Sequence, residues 1–420
     1  MRRLIATLLA LAAVLMGAAP AIAYGPADLR RALAREMSRA TPASGAFVRD
    51  LGSGEELFSL RADTQRIPAS VDKLFTTSAA LLRMGPGTTL DTSALSSGDV
   101  DAAGVLHGDL VLVGDGDPFF GAEAAAKLAR GVRATGIKRI DGAVVGDESV
   151  FDSLRSGCCG TSYDSELGGV LSGLAYDRGI FAGRARLDAG RFAAARFAAL
   201  LRAAGVEASG RSRAGSAPAG AATIAAVSSL DVRTLIRLVN VPSNNFAAEM
   251  LLKALGARYG ARGSTSAGAA VVRTTLDDIA VRPRVVDGSG LSRRNRVSPR
   301  SVVRLLERMD LPDVQGAFRA SLAISGETGT VRRRMRRSAA HQRCRVKTGT
   351  LRLVSALAGY CRTAGGRNVA FALMFNRAST FTEKAREDRI TAAIARLRAG
   401  STPPPPPAEE PAPSGGAGSP

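Results

Sequence analysis

Apolar positions along the chain follow two rhythms, and their changes mark its organisation. Between residues 45 and 60, Phe47, Val48 and Leu51 lie before Gly52-Ser53-Gly54, and Leu57, Phe58 and Leu60 lie after it, which predicts a β-hairpin. Pro68 then opens a predicted helix beginning near Ser70, with Leu74, Phe75, Leu81 and Leu82 at core-facing spacing and Gly85-Pro86-Gly87 as its stop. After Thr88 the texture changes. Val111-Leu112-Val113 and Ala143-Val144-Val145 read as short strands ending in Gly-Asp turns, with helical stretches near 122–130 and 191–204. Residues 216–222, rich in Ala, Gly and Pro, read as a linker. Helical pattern resumes at Asp231 and runs past Met250. Residues 344–347, 355–360 and 369–375 then read as consecutive strands, followed by a helix near 382–397. The pattern thus predicts one domain from 24–87 and 230–400, interrupted by a second at 88–229.

The two ends differ from this body. Met1-Arg2-Arg3, an apolar run from Leu4 to Met16 and Ala21-Ile22-Ala23 have the n-region, h-region and small-residue cleavage site of an export signal over residues 1–23. With that export signal, and no other segment apolar enough to cross a bilayer, the mature chain is expected outside the cytoplasm, in the periplasm or extracellular space. Residues 401–420 contain five consecutive prolines and then Gly and Ser, the composition of an extended or disordered tail.

Length and composition narrow the chemistry. A chain of 420 residues is long for one core, and its 45% hydrophobic residues are ample to bury two. Trp is absent and aromatics make up 5%, so a site built on stacking is disfavoured. The net charge of +20 admits anionic wall polymers or a membrane surface as partners, or reflects an arginine-rich composition only. Nucleic acid is a poor partner for an exported chain whose basic residues are not interleaved with aromatics. Export makes disulfides possible for the four cysteines. Cys344 and Cys361 flank a predicted hairpin and can face each other across it, whereas adjacent Cys158 and Cys159 cannot easily bond to one another. Sequence leaves the three possible pairings open.

Three short motifs carry candidate chemistry. In Ser70-Val71-Asp72-Lys73, positions i and i+3 share a helix face, so the Lys73 amine can reach the Ser70 hydroxyl. Serine becomes a nucleophile when a base takes its proton, and lysine is that base only where burial or nearby positive charge lowers its pKa. The Ser70 N–H, at the helix start, can hold an oxyanion. In Ser243-Asn244-Asn245, Ser243 can relay a proton and Asn245 can hold a substrate amide and Lys73. Taken alone, Ser243 is better explained as an ordinary helix N-cap. In Lys347-Thr348-Gly349-Thr350, Lys347 supplies charge, the Thr348 hydroxyl can bind a carboxylate, Gly349 permits close approach and the Thr350 N–H can be the second oxyanion donor. Each motif alone is weak. Their order is not, since it is the set of Ser-x-x-Lys, Ser-Asp-Asn and Lys-Thr-Gly shared by penicillin-binding proteins and β-lactamases, with Asn244 replacing Asp. The chain has only six lysines, at 73, 127, 138, 253, 347 and 384, and two lie in these motifs. At position 73 arginine could not act as a base. His341 lacks neighbouring ligand residues, and neither a metal nor a cofactor is expected.

On these motifs the sequence resembles the D-alanyl-D-alanine carboxypeptidase/endopeptidase family, the class C low-molecular-mass penicillin-binding proteins. Further stretches carry the resemblance: Arg66-Ile67-Pro68-Ala69-Ser70, Gly108 to Gly114, Asp117-Pro118, Asp287-Gly288-Ser289-Gly290-Leu291-Ser292 with Asn295-Arg296-Val297-Ser298-Pro299, and Thr328-Gly329-Thr330. The resemblance implies an α/β (α+β) fold, a transpeptidase/β-lactamase-like domain with an antiparallel sheet flanked by helices, plus an inserted smaller α/β domain. It implies action on peptidoglycan stem peptides and inhibition by β-lactams. It also implies that Asp147, in Gly146-Asp147-Glu148-Ser149, helps recognise a substrate amino group. A further small domain that members often carry within the insertion has little room here, between residues 179 and 191. Two other functions fit the same sequence: a serine β-lactamase or esterase on this scaffold, and a non-catalytic wall-binding protein.

Overall fold

The computed structural model describes residues 24–157 and 161–398, so the expected signal segment, the tail, Cys158 and Cys159 lie outside the described residues. The chain opens with helix α1 (Pro26–Met37), strands β1 (Gly45–Asp50) and β2 (Glu56–Leu60), a 3-10 turn (Ala69–Asp72) and helix α2 (Lys73–Met84). The next stretch contains β3 (Asp91–Ser96), β4 (Leu110–Gly114), α3 (Ala122–Ala134), β5 (Val144–Asp147), α4 (Ala189–Ala203) and β6 (Ala222–Ser228). Helices α5 (Val232–Asn240), α6 (Asn245–Tyr259), α7 (Thr265–Asp277) and α8 (Pro299–Arg308) follow. The chain closes with β7 (Cys344–Leu351), β8 (Val354–Arg362), β9 (Asn368–Asn376) and α9 (Thr380–Arg396).

The main sheet has six antiparallel strands in the order 323–324, β7, β8, β9, β1, β2. The two ends of the chain therefore meet inside it, with Val48 opposite Phe371. Strand β8 is buried along nearly its whole length because both of its faces are covered. Its alternate residues Ala356, Ala358 and Tyr360 pack with Phe47, Ala372 and Met374 against α2, α5, α6, α7 and α8. Leu357 and Cys361 point the other way, joining Phe371, Leu373 and Phe375 beneath Leu29 and Leu33 of α1 and Ile390 and Ile394 of α9. Each large apolar side chain so buried contributes about 1.5–3 kcal/mol, against roughly 0–1 for an exposed ion pair. These two apolar layers hold the sheet. Cys344 and Cys361 are register partners on β7 and β8 and are joined in a disulfide.

Strands between Asp91 and Ser228 build two other sheets. One has the order 213–214, β5, β4, β3, β6; the other is built from 207–208, 139–140, 105–107 and 99–100. Both mix parallel and antiparallel pairs and share a core with α3 and α4 that includes Leu112, Leu128, Val144 and Phe197. Two of these strands escape sequence reading. The Ala-rich β6 follows the expected linker directly, and neither it nor β3 carries a β-branched alternation. Each becomes a strand by pairing with the other. Where the resemblance left little room for a nested domain, a two-stranded hairpin, 180–181 with 184–185, occupies the space.

Candidate active site

Ser70 does not begin an α-helix, as the pattern suggested; it sits in the 3-10 turn that precedes α2. Neighbours hold this turn in place. Ala69 has φ +48°, a left-handed conformation that costs a non-glycine residue about 1–2 kcal/mol. Two glycines pack closely against it. A Cβ on Gly349 would lie 2.5 Å from the Pro68 carbonyl oxygen, and one on Gly290 would lie 2.1 Å from the Ala69 carbonyl oxygen. Just upstream, Arg66 and Val297 exchange backbone hydrogen bonds of 2.8 and 3.0 Å, tying the approach to Ser70 to the segment after the Asp287–Ser292 turn.

Within the turn, i to i+3 spacing brings Lys73 Nζ 3.0 Å from Ser70 Oγ. The amine also donates to Asn245 Oδ1 at 2.7 Å and to the Ser289 carbonyl oxygen. All three ammonium protons thus have acceptors. When the proton aimed at Ser70 leaves, Asn245 and Ser289 keep the other two, and the lone pair faces the Ser70 hydroxyl. Lys73 is fully buried, and burial lowers its pKa to about 8 against the raising effect of Glu249, Asp287 and Asp72. A substantial neutral fraction is therefore present near neutral pH.

The second motif divides its labour. Asn244, not Ser243, is the N-cap of α6: its side chain accepts from the Ala247 N–H at 3.1 Å. Ser243 has φ +62° and accepts a 2.8 Å hydrogen bond from Lys347 Nζ. Asn245, the first residue of α6, accepts from Lys73 and donates from Nδ2 to the Glu166 carbonyl oxygen at 2.8 Å, which fixes its amide orientation.

Strand β7 carries the third motif. Only Arg345 and Val346 pair with 323–324, so the outer edge from Lys347 to Leu351 has no strand partner among the described residues. Lys347 is buried and also donates to the Thr348 carbonyl oxygen at 2.9 Å. Burial first, and then the positive charge of Lys73, push its pKa well below the usual lysine range. Thr348 Oγ1 bonds Thr330 Oγ1 at 2.8 Å. A cleft of about 410 Å³ exposes Ser70, Ser243, Asn245, Thr348 and Thr350 together, walled by Leu291, Thr330, Arg334 and Lys384.

Asp147 is not brought to this group. Its buried carboxylate accepts the Ser149 N–H at 2.8 Å and the Ala217 N–H at 2.7 Å, and so organises the end of β5 rather than lining the cleft. Sequence reasoning missed the Ser289 carbonyl, Arg334 and Lys384. Lys384 was among the six lysines, and Thr330 and Ser289 lay in stretches that carried the resemblance, but nothing in their local pattern assigned them to the cleft. Among the described residues no group of His, Cys, Asp and Glu could hold a metal ion.

The model of the D-Ala-D-Ala carboxypeptidase 3 (S13) family matches residues 27–166 and 171–397. The chain is 29% identical to the D-alanyl-D-alanine carboxypeptidase of Actinomadura sp. (strain R39), over 91% of this chain and 88% of that protein. It is 30% identical to carboxypeptidase Rv3627c of Mycobacterium tuberculosis, over 79% and 76%. In fold it is similar to penicillin binding protein 4 of Haemophilus influenzae, with TM-score 0.75 at 23% identity, covering 86% of this chain and 97% of that one. The same protein complexed with a β-lactam matches with TM-score 0.70. The chain belongs to the D-Ala-D-Ala carboxypeptidase 3 (S13) family and is a serine-type carboxypeptidase of the penicillin-binding kind.

Proposed function

We propose that Ser70 is the nucleophile by which this carboxypeptidase cleaves the bond between two D-alanines at the end of peptidoglycan stem peptides. The observation that carries the reading is the 3.0 Å contact between Ser70 Oγ and the buried amine of Lys73, with Asn245 and Ser289 directing its remaining protons. Lys73 takes the Ser70 proton as Oγ bonds to the scissile carbonyl carbon. The Ser70 and Thr350 backbone N–H groups receive the oxyanion. The C–N bond then breaks. Ser243, hydrogen-bonded to Lys347, delivers a proton to the departing amine, and water hydrolyses the Ser70 ester to restore the hydroxyl. Thr348 and Lys347 receive the substrate's terminal carboxylate, and Gly349 admits its backbone.

The same acyl-enzyme accounts for inhibition by β-lactams, whose strained amide opens onto Ser70. Endopeptidase action on a cross-linked stem peptide needs no new chemistry, since only the leaving amine differs. Residues 88–229 are read as an inserted domain within the catalytic body of 24–87 and 230–400. Residues 1–23 are read as an export signal that delivers the enzyme to the wall, where its charge of +20 faces anionic polymers. No described helix is long and apolar enough to cross a membrane.

A fluorescent penicillin should label the purified protein, and Ser70→Ala should abolish the label. Mass spectrometry of digested muropeptides should show release of D-alanine. Labelling that survives Ser70→Ala would remove Ser70 from the mechanism.

A further inference from the structure

We propose that Glu249 is a positioning residue for acylation: it braces the turn whose carbonyl aims the Lys73 amine, and its charge governs how readily that amine yields its proton. The inference rests on the reading of Ser70 as nucleophile and Lys73 as base.

The case begins with helix spacing. Glu249 lies one turn after Asn245 on α6, on the same face, so one helix presents both residues towards Lys73. Glu249 Oε1 accepts the backbone N–H of Gly288 at 2.9 Å and of Ser289 at 2.8 Å. The carbonyl of that same Ser289 accepts from Lys73 Nζ. Thr76 Oγ1 holds the Gly288 carbonyl at 3.1 Å. Asp287 closes the turn from within, accepting from the Gly290 N–H at 2.9 Å, the Ser292 N–H at 2.6 Å and Asn295 Nδ2 at 2.6 Å. The Asp287–Ser292 segment is thus held by buried carboxylates, and its payload is a single carbonyl oxygen on Lys73.

Bracing alone needs no charge, because a glutamine oxygen would accept the same two N–H groups. The surroundings point to more. Glu249 has no exposed surface, and its Oε2 has no hydrogen-bond partner. An unsatisfied buried carboxylate oxygen is costly, so a purely mechanical role would favour the amide. The charged and titratable groups facing Lys73 are Asp72 beside it in the turn, Glu249 from α6, Asp287 from the turn it contacts and Lys347 from β7. Asp72 is buried with both oxygens unpartnered, and burial raises its carboxyl well above the usual range. Burial, then Asp287, raise the Glu249 carboxyl to about 7, so its charge changes in the range where the enzyme must work.

The test is the pH profile of acylation by a fluorescent penicillin, measured on the whole protein. Neutral Lys73 is the active form, so the rate rises through its titration. Glu249→Gln keeps an acceptor for Gly288 and Ser289 but removes the charge that retains the Lys73 proton. The rising limb should therefore move to lower pH, by about half a unit or more. Glu249→Ala, which also loses the brace, should lower the whole profile. A Gln profile that superimposes on wild type, or falls in height with its limb unmoved, overturns the proposal. If Glu249→Gln does not fold, Ser289→Ala carries the test. It removes the hydroxyl that favours the ionised Glu249 and should move the limb in the same direction, and an unmoved limb is again refuting. A wild-type protein that takes no label removes the nucleophile reading and this inference together. A labelled wild type with an unmoved limb removes this inference alone.

Discussion

Replacing Lys73 by arginine separates a base from a fixed positive charge. The Lys73 pKa of about 8 leaves roughly one-tenth of the amines neutral at pH 7. A guanidinium, which titrates far above the lysine range, would be neutral in no more than about one molecule in 10⁵ at that pH. The neutral populations thus differ by at least about 10⁴-fold, and the loss is limited by what general-base assistance is worth, typically about 10²–10⁴-fold. Lys73→Arg should thus slow acylation by about 10³-fold or more, although the guanidinium can still donate to Ser70, Asn245 and the Ser289 carbonyl. The assay is the second-order rate of labelling by a fluorescent penicillin between pH 5.5 and about 9. Below pH 8 the wild-type rate should rise about tenfold per pH unit, the sign expected when the deprotonated form is active. The variant should be slow and flat across the range. Packing the larger group into a fully buried site costs about 1–3 kcal/mol, so a thermal melt must confirm a folded variant. A folded Lys73→Arg protein that keeps more than about 1% of the wild-type rate refutes the assignment of Lys73 as base, because charge would then suffice.

Other expectations follow from the same geometry. Gly290→Ala places a methyl 2.1 Å from the Ala69 carbonyl oxygen at φ +82°, so penicillin labelling should fall at least about tenfold and stability by about 1–2 kcal/mol from the backbone conformation alone, read by labelling rate and denaturant melts. Cys344→Ala with Cys361→Ala opens a 17-residue loop, whose closure entropy is worth at most about 3 kcal/mol; the β7–β8 ladder already holds both ends. The midpoint of denaturant unfolding should fall while folded-state labelling is retained.

The Ser70–Lys73 relation was legible because it is local: three residues of helical turn bring the two groups together whatever the rest of the fold does. The scarcity of lysine was legible too, and it singled out position 73 as a candidate base. Strands β7 to β9 and helix α9 announced themselves through apolar runs bounded by turn residues. The ends of the elements were less clear. Strand β6 has no pattern of its own and forms because β3 offers it an edge. Asp147 shows what a local pattern leaves out: its neighbourhood resembles a recognition segment, and the fold adds two backbone N–H groups that donate to its carboxylate.

What the sequence determined alone was therefore the short-range arrangement: a serine and a lysine on one turn, a helix following Ser243-Asn244-Asn245, and a lysine on a sheet strand. The tertiary structure decided which of these groups meet and in what state. Asn245 reaches Lys73 across 172 residues and the Ser289 carbonyl reaches it across 216. No local periodicity encodes such contacts. Burial, which lowers the Lys73 pKa, likewise arises only when α2, α6 and the Asp287–Ser292 turn close around one amine. The residues were present in the sequence, but their protonation is a property of the packed interior, where desolvation by every neighbouring element acts at once.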